Sequence, residues 1–177
     1  MKLSPTKIPG ALAIEIEPHR DERGFFARTY CFETLRAAGA AFGAIRQTSI
    51  SFNAPRGMLR GMHWQAEPSP EGKIVRASSG RIFDCIVDLR RNSATYLAWF
   101  GIELDAGVHN ALLIPPGCAH GFLTLEDNCA VEYIMDTDYV PELARGCRWN
   151  DPAFAIAWPF PPAAMSDRDR NWPDFAR

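Results

Sequence analysis

Apolar and polar residues alternate strictly along Ala11–Glu17 (ALAIEIE) and again along Arg81–Arg90 (RIFDCIVDLR). A period of two is the mark of an extended strand with two distinct faces. In the second segment Ile82, Asp84 and Ile86 share one face, and Phe83, Cys85 and Val87 share the other. Shorter stretches with the same reading are RTYCF, QTSISFN, GMLRGMHWQ, KIVRASS, YLAWFGIEL, ALLIPP, HGFLTLED and CAVEYIMD. Gly, Pro, Asn and Asp separate nearly all of them at close intervals, as in strands joined by tight turns. Only CFETLRAAGAAFG has a helical composition, and Gly39 and Gly43 keep that helix short. This pattern predicts an all-β sandwich or barrel, and a jelly roll suits the length. From Pro152 onward the chain is rich in proline and aromatics. Such a segment predicts an ordered C-terminal tail with a short helix, burying its large side chains on the barrel. With no internal repeat or low-complexity block, the 177 residues read as a single domain.

Composition narrows the class. The chain is 47% hydrophobic and 23% charged, ordinary for a soluble globular protein. Its net charge of −2 implies no general affinity for nucleic acid. The cysteines, Cys31, Cys85, Cys118, Cys129 and Cys147, are odd in number and never form CxxC. They read as reduced thiols of a cytosolic protein. The N-terminal stretch lacks the apolar core of a signal peptide, and no apolar run approaches transmembrane length. The expectation is a cytoplasmic protein with neither nucleic acid nor membrane as a partner.

Candidate chemistry concentrates in two segments. In GMLRGMHWQ, Gly57 to Gln65, His63 follows Arg60 by three residues. On a regular strand the two would face opposite sides, but Gly61 between them permits a bulge that brings both to one cavity. Imidazole suits proton abstraction near neutral pH, and a guanidinium suits an anionic substrate. A structural histidine beside a surface arginine fits the segment equally well. The second segment is IPPGCAHGF, Ile114 to Phe122, where Pro-Pro-Gly sets a turn and His120 opens the next strand. Pro115-x-Gly-x-x-His120 resembles the second short motif of cupin barrels. The first cupin motif supplies His-x-His, and the corresponding place here reads His63-Trp64-Gln65. A catalytic metal needs at least three ligands, and the remaining histidines, His19 and His109, fall in loops. The expectation is therefore a cupin-shaped pocket with no metal and no cofactor.

Taken together, DERGFFART from Asp21, Gln47, Ser51, GMLRGMHWQ, Lys73-x-Val-Arg76, GRIFDCIVDLRRNSATY, IPPGCAHGFLTL, Tyr133, Tyr139-x-Pro141, RWNDPAFAIAWP and Ser166-x-x-Asp169 resemble the nucleotide-sugar 3,5-epimerases of the dTDP-4-dehydrorhamnose 3,5-epimerase type. The resemblance covers nearly the whole chain. It implies a metal-free jelly-roll cupin, forming homodimers whose N-terminal segments reach into the partner's site. The implied reaction acts on a 4-keto-6-deoxy sugar linked to a nucleoside diphosphate. Carbons 3 and 5 flank the ketone, so inversion needs a base, an acid on the opposite face and a positive donor at the enolate oxygen.

By that resemblance His63 is the base, Asp169 its carboxylate partner, Lys73 the enolate donor and Tyr133 the acid. Arg60 and His120 bind around the sugar and phosphates, with Asp84 behind them. Arg23 and Phe26 contact diphosphate and base from the neighbouring subunit. Tyr139 completes an aromatic sandwich on the base, and Gln47 is a further substrate contact. Taken without the resemblance, Lys73 reads as a surface charge, Tyr133 as core or rim, Asp169 as exposed tail and Arg23 as a loop residue. Two positions depart from the family pattern: Arg28 stands where a glutamate is common, and Ser49 where an asparagine usually meets phosphate. Both leave open which nucleotide is recognised; whether carbon 3, carbon 5 or both invert is open as well. Two other classes compete, a metal-dependent sugar cupin and a non-catalytic sugar-binding cupin.

Overall fold

The alternating segments do become strands, and the strands stack as two sheets. The computed structural model describes residues 1–176. Its strands are β1 (Lys2–Pro5), β2 (Leu12–Glu15), β3 (His19–Asp21), β4 (Gly24–Phe26), β5 (Gln47–Asn53), β6 (Met58–Gln65), β7 (Lys73–Ser79), β8 (Arg81–Asp88), β9 (Trp99–Asp105), β10 (Ala111–Ile114), β11 (Cys118–Thr124), β12 (Cys129–Met135), β13 (Ala144–Gly146) and β14 (Ala164–Met165). Helix α1 (Phe32–Ala37) precedes β5, and helix α2 (Asp167–Arg170) follows β14. One sheet runs β1-β2-β10-β7-β12-β5, and the other β13-β6-β11-β8-β9 with β14 added beside β6. Strands β3 and β4 form a separate hairpin. Non-sequential neighbours in both sheets are the jelly-roll connectivity expected from the sequence.

Three apolar clusters hold the layers. Between the sheets, Val75, Leu112, Ile114 and Val131 meet Ile82, Ile86, Leu104 and Phe122. The outer face of the first sheet is covered by Leu35 of α1 and by Phe42, packed on Leu12, Ile14, Ile74 and Leu113. The outer face of the second sheet is covered by the tail, where Phe154, Trp158 and Phe175 pack with Met62, Cys85 and Val87. The two faces read from RIFDCIVDLR are thus both buried, one against the opposite sheet and one under the tail. All seven residues of β11 are buried for the same reason.

Two expectations change. The stretch RTYCF is not a strand: Arg28–Cys31 is irregular and Phe32 opens α1. One helical turn is favoured there because it drops Leu35 into the cluster beneath it. The alternating ALAIEIE segment is extended only over Leu12–Glu15, and both its edges are occupied, by β1 and β10 of its own chain.

At Gly61 the backbone has φ of +128°, and a Cβ there would lie 2.5 Å from the Gly121 Cα. The pairing of β6 with β11 shifts register at the same place, between His120 and Phe122. This irregularity turns both Arg60 and His63 into one cavity, as the glycine predicted.

The β8–β9 connection is closed by Asp88, which is fully buried. Arg90, Ser93 and Thr95 all donate to its carboxylate, at 2.6–2.9 Å from their side chains. Burial pushes its pKa up, but these donors outweigh burial and hold it down at about 2, against 3.8 ordinarily. A depressed carboxylate stabilises the fold fully above its unfolded pKa, and that contribution fades as pH falls toward the folded value. Asp88→Asn should cost about 2 kcal/mol at pH 7. Urea melts should show the gap to wild type closing between pH 4 and pH 2. A gap that ignores pH would assign the loss to packing alone.

Candidate active site

The open end of the barrel, between the two sheets, is polar. A cavity of about 380 Å³ there is lined by Ser51, Arg60, His63, Lys73, His120, Phe122, Tyr133, Ser166, Arg168 and Asp169. A smaller cavity adjoins it and shares His63, Lys73 and Arg168, adding Trp64, Gln65, Glu71, Tyr139, Ala144 and Arg145. Strands β6, β7, β11 and β12 supply most of the inner residues, and the tail supplies Ser166, Arg168 and Asp169.

The tail reaches this place by two devices. Strand β14 pairs in parallel with β6 at Met58 and Leu59, which lays the chain along the barrel rim. Ser166 then caps α2, its hydroxyl accepting from the Asp169 backbone N–H at 3.0 Å. That turn directs Asp169 inward, where it is 3% exposed. Its Oδ1 lies 2.5 Å from His63 Nε2. Burial pushes the Asp169 carboxyl up, but bonding to His63, the His63 charge, Ser166 and the Gly61 backbone together hold it below its usual range. An ionised carboxylate only accepts, so Nε2 carries the hydrogen and Nδ1 is left as the ring's basic nitrogen. Beyond α2, Arg148 N–H donates to the Pro173 carbonyl and Phe175 N–H to Asp151, so the tail is fastened on both sides of Asp169.

His120 sits opposite His63 across β6 and β11 and is itself backed by a carboxylate. Its Nε2 is 2.6 Å from Asp84 Oδ1, and both side chains are buried. Among the described residues the second oxygen of Asp84 has no hydrogen-bond partner. The Tyr133 ring meets His120 edge-on, with centroids 6.0 Å apart. Burial drives the Tyr133 hydroxyl pKa far above its usual value, and the Asp84 charge adds to the effect. Tyr133 is accordingly a phenol, not a phenolate, at any physiological pH. Lys73 is nearly buried and forms an ion pair with Glu71, Nζ to Oε1 2.6 Å. Arg60 is aimed by Asn53, which accepts from its Nε at 2.8 Å and donates to the Ser51 and Cys129 carbonyls.

Of the residues selected from sequence, the cavities thus unite His63, Asp169, Tyr133, Lys73, Arg60, His120 and Tyr139, with Asp84 directly behind His120. Gln47 and Ser49 do not line them. Gln47 donates to the Thr137 carbonyl and braces the loop that carries Tyr139. Ser49 lies across from Tyr133 on the exposed strand β5. Arg23, Phe26 and Arg28 belong to the β3–β4 hairpin and its exit, and none of them lines the cavity of its own chain. Arg23 pairs with Asp21, Phe26 is 77% exposed, and Arg28 reaches only the Cys31 sulfur. Sequence reading missed Arg168, Glu71, Asn53 and Trp172. Trp172 occupies the space left by Gly146, where any Cβ would lie 2.3 Å from the indole. Its ring is edge-on to His63, and the Arg168 guanidinium lies over it. Among the described residues no three His, Cys, Asp or Glu side chains converge as a metal-binding group. No helix among them is long and apolar enough to cross a membrane.

A jelly roll whose open end joins a carboxylate-backed histidine, an ammonium and a protonated phenol has the architecture of a cupin-type isomerase, an enzyme that moves protons. The family model described as dTDP-4-dehydrorhamnose 3,5-epimerase matches residues 5–177, and the chain belongs to that family. A dTDP-4-dehydrorhamnose 3,5-epimerase from Methanothermobacter thermautotrophicus is 41% identical over 170 residues, covering 94% of this chain and 90% of the relative. The crystal structure of the enzyme of that name from Elizabethkingia anophelis superposes with a TM-score of 0.94 at 34% identity, covering 99% of this chain and 96% of the other. The one from Bacillus anthracis, solved with TDP and PPi bound, gives 0.93 at 37% identity over 98% and 99%.

The hydrogen bond to Asp169 should fix the His63 tautomer. Nitrogen-15 NMR of the wild type should show Nε2 protonated and Nδ1 bare in the neutral ring. In Asp169→Asn the side-chain amide no longer enforces that choice, and both tautomers should appear. A single unchanged tautomer in the variant would remove Asp169 as the orienting group.

Proposed function

We propose that this chain epimerises a dTDP-linked 4-keto-6-deoxyglucose at carbons 3 and 5 through an enolate, without a cofactor. The observation that carries the reading is the meeting, in one cavity, of a histidine base held by a buried carboxylate and a phenol kept protonated by burial. His63 Nδ1 removes the proton next to the ketone, and Asp169 stabilises the imidazolium that forms. Negative charge moves to the ketone oxygen, where the Lys73 ammonium stabilises it. Tyr133 delivers its proton to the other face of the carbon, inverting it. Proton exchange with water then restores His63 and Tyr133 for the next turnover. Arg60, His120 and Arg168 offer positive charge or N–H donors to the sugar and diphosphate, and Tyr139 offers an exposed ring for the base. The five free thiols support a reducing, cytoplasmic setting.

Incubation with dTDP-4-keto-6-deoxyglucose in deuterated water should place deuterium at carbons 3 and 5, read by NMR. His63→Ala should abolish exchange at both. Tyr133→Phe should retain abstraction while losing inversion by ~10²–10⁴-fold. Deuterium at carbon 3 alone would narrow the activity to a single centre. Deuterium at neither would leave a sugar-binding cupin in place of an enzyme.

The working unit, on this reading, is a homodimer in which the β3–β4 hairpin serves the partner's cavity. Arg23, Phe26 and Arg28 are exposed and absent from the lining of their own chain's cavity, which supports such an exchange. Ile50 and Phe52, 66% and 60% exposed on the outer face of β5, give a partner apolar surface to cover. Mixing inactive His63→Ala protein with inactive Arg23→Ala protein, under conditions where subunits exchange, should restore activity. Heterodimers then contain one cavity with both wild-type residues. No recovery after proven exchange would place both residues in one chain's site.

A further inference from the structure

Glu71 has no part in the reaction just described, yet its carboxylate lines the cavity. A negative charge there repels a diphosphate, so its presence calls for a reason. The Glu71 side chain is 11% exposed and the Lys73 side chain 10%, with 2.6 Å between carboxylate oxygen and ammonium. Among the described residues Glu71 is the only acidic partner of that ammonium. The backbone between them is clamped. Gly72 N–H donates to Asp136 Oδ1 at 2.8 Å, and a Cβ at Gly72 would fall 2.6 Å from Asp136 Oδ2. Holding Gly72 therefore holds the two residues that flank it, whose side chains form the ion pair.

We propose that Glu71 is a positioning residue that holds the Lys73 ammonium toward the reacting ketone. The inference rests on the reading of Lys73 as the donor to the enolate oxygen. A lysine reaches through a flexible four-carbon stem, and ordering it costs rotamer entropy. A nearly buried ammonium without a counter-charge would also turn outward to water. One carboxylate answers both problems: it engages one of the three N–H donors and leaves two for the substrate. His63 with Asp169 and His120 with Asp84 show the same arrangement, a carboxylate behind each cavity nitrogen. The Glu71 charge has a second effect in the same direction, since it adds to the forces that keep Tyr133 protonated.

Glu71→Gln preserves shape and removes the charge. It should lower kcat and kcat/KM together by ~10-fold or more with KM unchanged, because the lost interaction belongs to the transition state. Glu71→Asp keeps the charge but shortens the reach by a methylene, and should lose several-fold in kcat while folding normally. In a Lys73→Met background, Glu71→Gln should add less than about twofold, as expected of a residue that acts through another. Full turnover by both Glu71 variants would overturn the proposal. So would an equal loss from Glu71→Gln with and without Lys73, since Glu71 would then act independently. Full turnover by Lys73→Met would instead refute the enolate-donor reading itself, and the two failures are told apart by that single variant.

Discussion

The contact between His63 and Asp169 spans 106 residues of sequence, and much of the architecture exists to make it. His63 lies in the middle of the second sheet, while Asp169 lies close to the end of the chain. Joining them requires a tail that crosses the outer face of that sheet, pairs with β6 and turns inward. Phe154, Trp158 and Phe175 bury apolar area on the way, so docking the tail stabilises the fold as well as the site. The same cluster covers Cys85 and Val87, which would otherwise face water. Packing and chemistry are coupled here: the side chains that hold the tail also set the position of the carboxylate.

The second constraint is electrostatic. The barrel is filled with aliphatic side chains at one end and polar ones at the other, and the polar end is only partly open. Buried polar groups need partners, and buried charges need them more. The cavity meets this requirement with His63–Asp169, His120–Asp84 and Lys73–Glu71. Asp84 goes further, because one of its oxygens is buried with no donor among the described residues. Burial holds the Tyr133 phenol in its acidic form, and the Asp84 charge adds to that effect. Local instability of this kind is common at functional sites, where it serves the chemistry.

The sequence made the barrel legible wherever a strand buries one or both faces. KIVRASS is β7 without any shift of boundary, and the two faces of RIFDCIVDLR emerge as read. Gly61 announced the irregularity that unites Arg60 with His63. Less visible were elements too short to show a period, such as β13 with three residues and β14 with two. The irregular RTYCF carried strand-forming residues but is governed by Leu35 just beyond it. Asp169 sits in a charged run that reads as solvated tail, and only the family pattern singled it out. Glu71, Asn53 and Arg168 could not be found by local reading, because only the folded chain places them at the cavity or behind it. Asn53, for example, is held in place by the Cys129 carbonyl, 76 residues away in sequence. Nothing in a loop such as EPSPEGK says that its last glutamate turns inward.

A further consequence of the tail concerns the order of synthesis. During translation the strand bearing His63 emerges long before the helix bearing Asp169. At about 5–20 residues per second, 106 residues take on the order of 5–20 s. Strands β7 to β13 are made within that interval, and in its last part the sheets have their histidine but not the carboxylate that orients it, while one face of the second sheet lies uncovered. The nascent chain is therefore most exposed to misassociation just before it becomes competent, and a single late docking event ends both conditions together.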